Sequence, residues 1–249
     1  MILVTGDCHG DFSKLRGTPY TELTENDTVI VCGDFGIWDN NAREQNWMRY
    51  ISDQKYTVVF VDGNHDNFDR LDNEFTVVDF HGGKAHRIRH NLYHLMRGYV
   101  FDFEGKKFFC FGGARSHDIW GGILDPADYK SDAEFNDAYI NMYLSGVCFR
   151  VKGVSWWERE LPSEEEMKRG REELEKVNWK VDYVITHCLP TDVQAVYSAG
   201  DFEEDILTDY LMDIAHKLNF KTWYCGHYHD DYKVMGKYQI SYYGVQEVV

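Results

Sequence analysis

Five short runs of β-branched and aromatic residues mark out the chain, and each stops abruptly on a polar group: "MILVTGDCHGD", "DTVIVCGDFG", "YTVVFVDGNHD", "VDYVITHC" and "KTWYCGHYH". Runs of about five to seven such residues, bounded by glycine or a turn, read as buried strands. A buried strand that ends in Asp, His or Asn presents groups that are costly to leave without partners. A single ending of this kind is a turn, because Asn and Asp hydrogen-bond their own backbone there. Five of them form a pattern. Ligands of an open α/β sheet collect beyond the carboxyl ends of its strands, so these endings are expected to meet at one sheet edge.

Between the strands lie segments of helical period. "DNNAREQNWMRYISDQ" opens with capping Asp and Asn residues, and "PSEEEMKRGREELEKVNW" carries Ser163 and Glu166 at capping-box spacing. "DFEEDILTDYLMDIAHKLN" is a third amphipathic helix. Strands alternating with helices imply a layered α/β domain. Hairpins are expected around Gly105 in "YVFDFEGKKFFCFGG" and around Gly236 in "YKVMGKYQISYYG". Residues 115–160 show no clear period and too few apolar residues for a core of their own. They read as an insertion within a single domain spanning residues 1–249.

Composition narrows the partners. The formal charge is -16, from 42 acidic and 26 basic residues, and such a surface repels polyanions. Long nucleic acid is therefore disfavoured as a partner, and metal ions are favoured. No basic leader precedes the first apolar run and no stretch approaches the length of a membrane span, so a protein without a membrane segment is expected. Six cysteines without CxxC spacing suit reduced thiols in the cytoplasm.

The polar endings also say what they hold. Asp7, His9, Asp34, Asn64, His187, His227 and His229 amount to two carboxylates, one amide and four imidazoles, too many donors for one ordinary ion. Mixed nitrogen and oxygen ligation suits Mn, Fe or Zn better than the oxygen cages of Ca or Mg. Two divalent ions a few ångströms apart fit the count, with Mn preferred and Fe or Zn as alternatives.

The series D-x-H, GD, GNHD, H and GHxH, in this order from residue 7 to residue 229, resembles the calcineurin-like metallophosphoesterase superfamily. The resemblance implies a four-layer α/β/β/α sandwich with mixed sheets and a two-metal site that hydrolyses phosphate esters. It implies that Asp7, His9, Asp34 and His229 hold one ion and that Asp34, Asn64, His187 and His227 hold the other, with Asp34 bridging. His65 would face the substrate as proton donor to the leaving oxygen or as a phosphoryl clamp. Asp66 would assist it in catalysis or cap the following "NFDRLDNE" helix.

One motif departs from the protein serine/threonine phosphatase branch. That branch reads GDxVDRG, whereas this chain reads "GDFGIWD", with Ile37 and Trp38 where an Asp and an Arg would stand. Replacement substrate contacts are expected in "FGGARSHDIWGG", from Arg115, Ser116 and His117. "SWWERE" at 155–160 is expected to pack as core rather than form a ligand platform. Cys8, Cys32, Cys188 and Cys225 read as small buried side chains.

The reading is a cytoplasmic phosphoesterase acting on a small or medium phosphomonoester by in-line attack of a hydroxide formed between two ions. A phosphodiesterase for a cyclic or small nucleotide is the alternative within hydrolases. An inactive metal-dependent binding or scaffold protein is the alternative outside them. Oligomeric state is not legible.

Overall fold

The computed structural model describes residues 1–249. Six strands come first: β1 (Ile2–Thr5), β2 (Thr28–Val31), β3 (Thr57–Phe60), β4 (Thr76–Phe80), β5 (Gly83–Arg89) and β6 (Leu92–Leu95). Then follow β7 (Tyr99–Phe103), β8 (Lys106–Phe111), the short β9 (Ile123–Leu124) and β10 (Arg150–Val151), β11 (Tyr183–Thr186), β12 (Thr222–Cys225), β13 (Tyr232–Val234), β14 (Tyr238–Ile240) and β15 (Val245–Glu247). One sheet runs β15-β1-β2-β3-β6-β5-β4, and the other runs β13-β14-β12-β11-β8-β7. Both are mixed: β1, β2, β3 and β6 are parallel neighbours, as are β8, β11, β12 and β14, while the edges are antiparallel.

Side-chain alternation along these strands builds four layers. Leu3, Val29, Val31, Val58 and Phe60 point outward from the first sheet and pack on Met48 and Ile51 of α1 (Ala42–Ser52) and on Phe68 and Leu71 of α2 (Phe68–Glu74). Their neighbours Ile2, Val4, Ile30 and Val59 point inward and meet Phe101, Phe108, Cys110 and Ile185 of the second sheet. The other face of that sheet, with Phe109, Phe111, Val184 and Trp223, is covered by Met167, Val193 and Leu211. These three come from the helices α4 (Glu164–Lys176), α5 (Thr191–Ser198) and α6 (Ile206–Lys217). Helix, sheet, sheet and helix follow one another, as the resemblance implied.

The expected local signals hold in detail. Asn41 caps α1, Ser163 and Glu166 form the capping box of α4, and the hairpins turn at Gly105 and Gly236. The third amphipathic helix is shorter than its sequence pattern. It begins at Ile206 because the Asp205 carboxylate accepts the Leu207 and Thr208 amides as an N-cap, which leaves residues 201–205 as loop.

Residues 115–160 add no strand to either large sheet. They carry the parallel pair β9 and β10 and the helix α3 (Asp132–Ser145), none of whose residues is buried. Trp157 turns back into the core and donates to Asp69, as expected for "SWWERE". No helix is long and apolar enough to cross a membrane.

The polar endings do not share one sheet edge. Those at residues 7, 34 and 64 follow β1, β2 and β3 of the first sheet, whereas those at 187 and 227 follow β11 and β12 of the second. The site lies across the seam between the sheets. Strands buried on both faces read as continuous apolar runs, so their pattern carries no mark of which sheet they join.

Candidate metal centre

Backbone hydrogen bonds first tie the strand-end loops together. The Cys8 and His9 amides donate to the Asp34 carbonyl at 3.0 and 2.8 Å, and the Gly10 amide donates to Phe35 at 3.0 Å. His9, Asp34, His227 and His229 all take positive φ, between 45° and 69°. Four non-glycine residues in that region store strain at one place, which the surrounding bonds must hold.

The two carboxylates are fixed by amides and glycines. The Asp34 Oδ1 accepts from the His65 amide at 2.9 Å, and Asp7 accepts from the His227 amide through Oδ1 at 3.0 Å and Oδ2 at 3.2 Å. A Cβ on Gly63 would come within 2.0 Å of the Asp34 Oδ1, and one on Gly226 within 2.0 Å of the Asp7 Oδ1. These close approaches explain the glycine that precedes Asn64 and the one that precedes His227.

The remaining donor atoms face inward. The Asp34 Oδ2 lies 3.4 Å from His187 Nε2 and 3.8 Å from His9 Nδ1. The Asp7 Oδ2 lies 3.2 Å from His229 Nε2 and 3.6 Å from His9 Nε2. The His9 and His229 Nε2 atoms are 3.0 Å apart. His187 donates its Nδ1 proton to the Cys32 carbonyl at 2.7 Å, which turns Nε2 toward the other donors, 3.2 Å from the Asn64 Oδ1. His227 packs edge-on against His187 with ring centroids 5.0 Å apart.

Two compact donor groups result, Asp7 with His9 and His229, and Asp7 with Asp34 and His187. Their charge balance suits cations. The Asp7 and Asp34 side chains are 0% and 2% exposed, and each has only histidines as ion partners. Burial alone raises the Asp34 pKa, yet the neighbouring His187 outweighs it and holds the carboxyl well below its usual range. Burial and the like charge of His187 drive His227 far down, which keeps it neutral as a ligand must be. Burial raises Cys8 to about 12 and drives the Cys188 and Cys225 thiols up too, so the adjacent cysteines stay protonated and inert, as expected.

His65 is half-buried and stands at the mouth of this cluster. It lines a cavity of about 140 Å³ with Asp34, Asn64, His117, His227 and His229. Its ring makes no hydrogen bond within the chain, while its carbonyl accepts from Trp38 Nε1 at 2.7 Å. Trp38 thus anchors the His65 backbone, at the position where the phosphatase branch has an arginine.

Asp66 corrects the sequence expectation. It is fully buried, and its Oδ1 accepts from the Gly36 and Ile37 amides at 2.9 and 3.3 Å, its Oδ2 from Gly63 and Phe35 at 3.0 and 3.4 Å. The carboxylate clamps the loop after β2 to the loop after β3 and has no face toward the cavity. Nor does it cap α2, since Asn67 does so through the Arg70 amide.

The 115–117 segment divides. Ser116 is buried, donates its hydroxyl to Glu160 at 2.7 Å and accepts from the Asn64 Nδ2 at 3.2 Å. Its hydroxyl is engaged by both, and the bond from Asn64 fixes which end of that amide points inward. Arg115 is half-exposed, 3.5 Å from Glu203. It borders a second cavity of about 420 Å³ beside the first. His117 sits where the two cavities join, edge-on to His227 at 5.0 Å.

Several contributors escape a reading by sequence. Glu160 reaches the site through Ser116. Lys14 donates to the Gly6 and Asp7 carbonyls at 2.7 and 2.5 Å and to Tyr242 at 3.0 Å, and the Tyr242 ring stacks on His229 at 4.5 Å. None of these follows a strand-end motif. The family model for calcineurin-like phosphoesterase matches residues 1–231. No curated protein matches the chain.

Proposed function

Since the chain belongs to the calcineurin-like phosphoesterase family, a family of metal-dependent phosphoester hydrolases, we propose that it cleaves a small or medium phosphomonoester with two divalent ions, Mn first among them. The observation that carries this reading is the pair of buried carboxylates, Asp7 and Asp34, facing four imidazoles and one amide oxygen with no lysine or arginine between them. Asp7, His9, Asp34 and His229 would hold one ion. Asp34, Asn64, His187 and His227 would hold the other. The position of the Asp34 Oδ2 between His9 and His187 supports a shared role for that oxygen. Mixed nitrogen and oxygen donors favour Mn, Fe or Zn.

Two such ions would supply a water acidified toward neutral pH and fixed positive charge against the phosphoryl oxygens. The chain's own residues do the rest. The Cys32 carbonyl holds the His187 tautomer, Ser116 holds the Asn64 amide, and the His65 amide fixes one oxygen of Asp34. The His65 ring, unbonded within the chain, meets the departing ester oxygen and gives it a proton. A phosphoryl-sized cavity that joins one larger cavity supports a single ester substituent, hence a monoester. The strongly negative surface supports a small substrate over long nucleic acid. Six free cysteines support a reducing compartment, the cytoplasm.

The test is hydrolysis of a chromogenic phosphomonoester and its matching diester by metal-stripped protein refilled with Mn, Zn or Mg. Restored turnover, best with Mn and faster on the monoester, is expected. Faster diester cleavage would transfer the reading to a phosphodiesterase. If both sites fill by metal analysis and neither ester is cleaved, a metal-dependent binding protein becomes the better account.

A further inference from the structure

Only His117, Phe202 and His227 line both the 140 Å³ cavity beside Asp34 and the 420 Å³ cavity next to it. A phosphoryl group in the smaller space therefore directs its ester substituent into the larger one. From the lining of that larger space, we infer that the enzyme selects phosphate esters whose leaving group carries no negative charge of its own and has a flat or apolar body. This selectivity rests on the phosphoesterase reading and names its substrate class.

Charge and surface set this preference. The floor is formed by Cys188, Gln194 and Thr208, all buried and uncharged. Gln194 is already committed, since its Oε1 accepts from the Tyr228 hydroxyl at 2.7 Å and its Nε2 donates to the Glu203 carbonyl at 3.3 Å. Arg115 is the one Lys or Arg on the lining, and Glu203 lies 3.5 Å from its guanidinium. Against it stand three carboxylates, Asp201, Glu203 and Asp205. An anionic substituent here would lose water without gaining a free cation, and it would face a net negative rim.

The walls suit an uncharged or cationic body. Phe202 packs edge-on to His117 at 5.2 Å and to Tyr228 at 5.3 Å, which fixes its ring beside the junction. Trp120 stands at the rim, 76% exposed. Aromatic faces beside carboxylates attract alkylammonium groups and tolerate flat neutral ones.

Three phenyl phosphates test this, each with a para substituent behind one methylene: trimethylammonium, its neutral tert-butyl isostere, and carboxylate, of which the neutral and carboxylate phenols match in acidity and give the comparison free of leaving-group bias. Phosphate release by the metal-filled enzyme gives kcat/KM for each. The cationic and neutral esters are expected to exceed the carboxylate by about ten-fold or more, as one poorly screened like charge at close range allows. Raising the ionic strength should shrink the gap, which separates charge from shape. The double variant Asp201→Asn, Glu203→Gln, which frees Arg115, should close or reverse it. Equal turnover of all three esters would overturn the selectivity and leave the activity standing. No turnover of any of them would overturn the activity and the selectivity with it.

Discussion

Asp66 separates scaffold from chemistry, and Asp66→Asn tests the distinction. The substitution keeps the shape of the side chain. With the remaining oxygen in the Oδ1 position, the bonds from the Gly36 and Ile37 amides survive, and the new amide group faces the Gly63 and Phe35 amides, donor against donor. One buried acceptor atom and the two hydrogen bonds it receives are lost. At about 1 to 2 kcal/mol for each bond to a charged or buried group, the variant should lose roughly 2 to 4 kcal/mol of stability. That is a large part of the roughly 5 to 15 kcal/mol that holds a domain together. Urea unfolding followed by tryptophan fluorescence, with metals present, reads the loss. Turnover should fall because the loops bearing Asp34 and Asn64 loosen, while the shape of the pH profile of kcat stays the same. A variant within about 0.5 kcal/mol of the parent that nonetheless loses one limb of that profile would refute the clamp and make Asp66 a proton-transfer group.

Other perturbations follow from the same geometry. Asp34→Asn is expected to lower bound metal and activity together, measured by metal analysis and phosphate release; full loading with normal turnover would remove its shared role. His65→Ala should keep its metals and lose about 10²- to 10⁴-fold in kcat, the usual worth of a positioned proton donor, and unchanged turnover would place another group at the leaving oxygen. Ser116→Ala leaves the Asn64 amide unanchored and Glu160 short of a partner, so metal affinity should weaken by about 10- to 100-fold; titration with Mn checks this, and unaltered affinity would show that Asn64 holds its orientation unaided. His86 governs acid sensitivity away from the site. Burial and the neighbouring His94 push its pKa down to about 4, so the unfolded chain takes up the proton first as acidity rises. Stability is fully present above about pH 6.5 and is lost as pH falls toward 4, by on the order of 3 kcal/mol. His86→Phe should flatten that part of the stability curve measured by urea unfolding, and an unchanged slope would locate the sensitivity elsewhere.

Read alone, the order of amino acids names all seven candidate donors and His65, because each stands within a few residues of a strand that announces itself by composition. Local caps and hairpin turns are legible for the same reason: Ser163 with Glu166, Asn41, Gly105 and Gly236 act through neighbours close in the chain. Adjacency to His65 says nothing of where Asp66 points, and its carboxylate turns to the Gly63 amide and to three amides about thirty residues earlier. The partners of Ser116, at 64 and 160, are equally invisible along the chain. The assignment of β1, β2 and β3 to one sheet and of β11 and β12 to the other was decided only in three dimensions. Strands buried on both faces have no polar side to orient them. The larger cavity likewise exists only where the 115–120 loop, α5 and residues 201–208 close on one another. Donor identity is a property of residues at strand ends, whereas orientation, selectivity and support depend on which distant segments the packed sheets bring within a hydrogen bond's length.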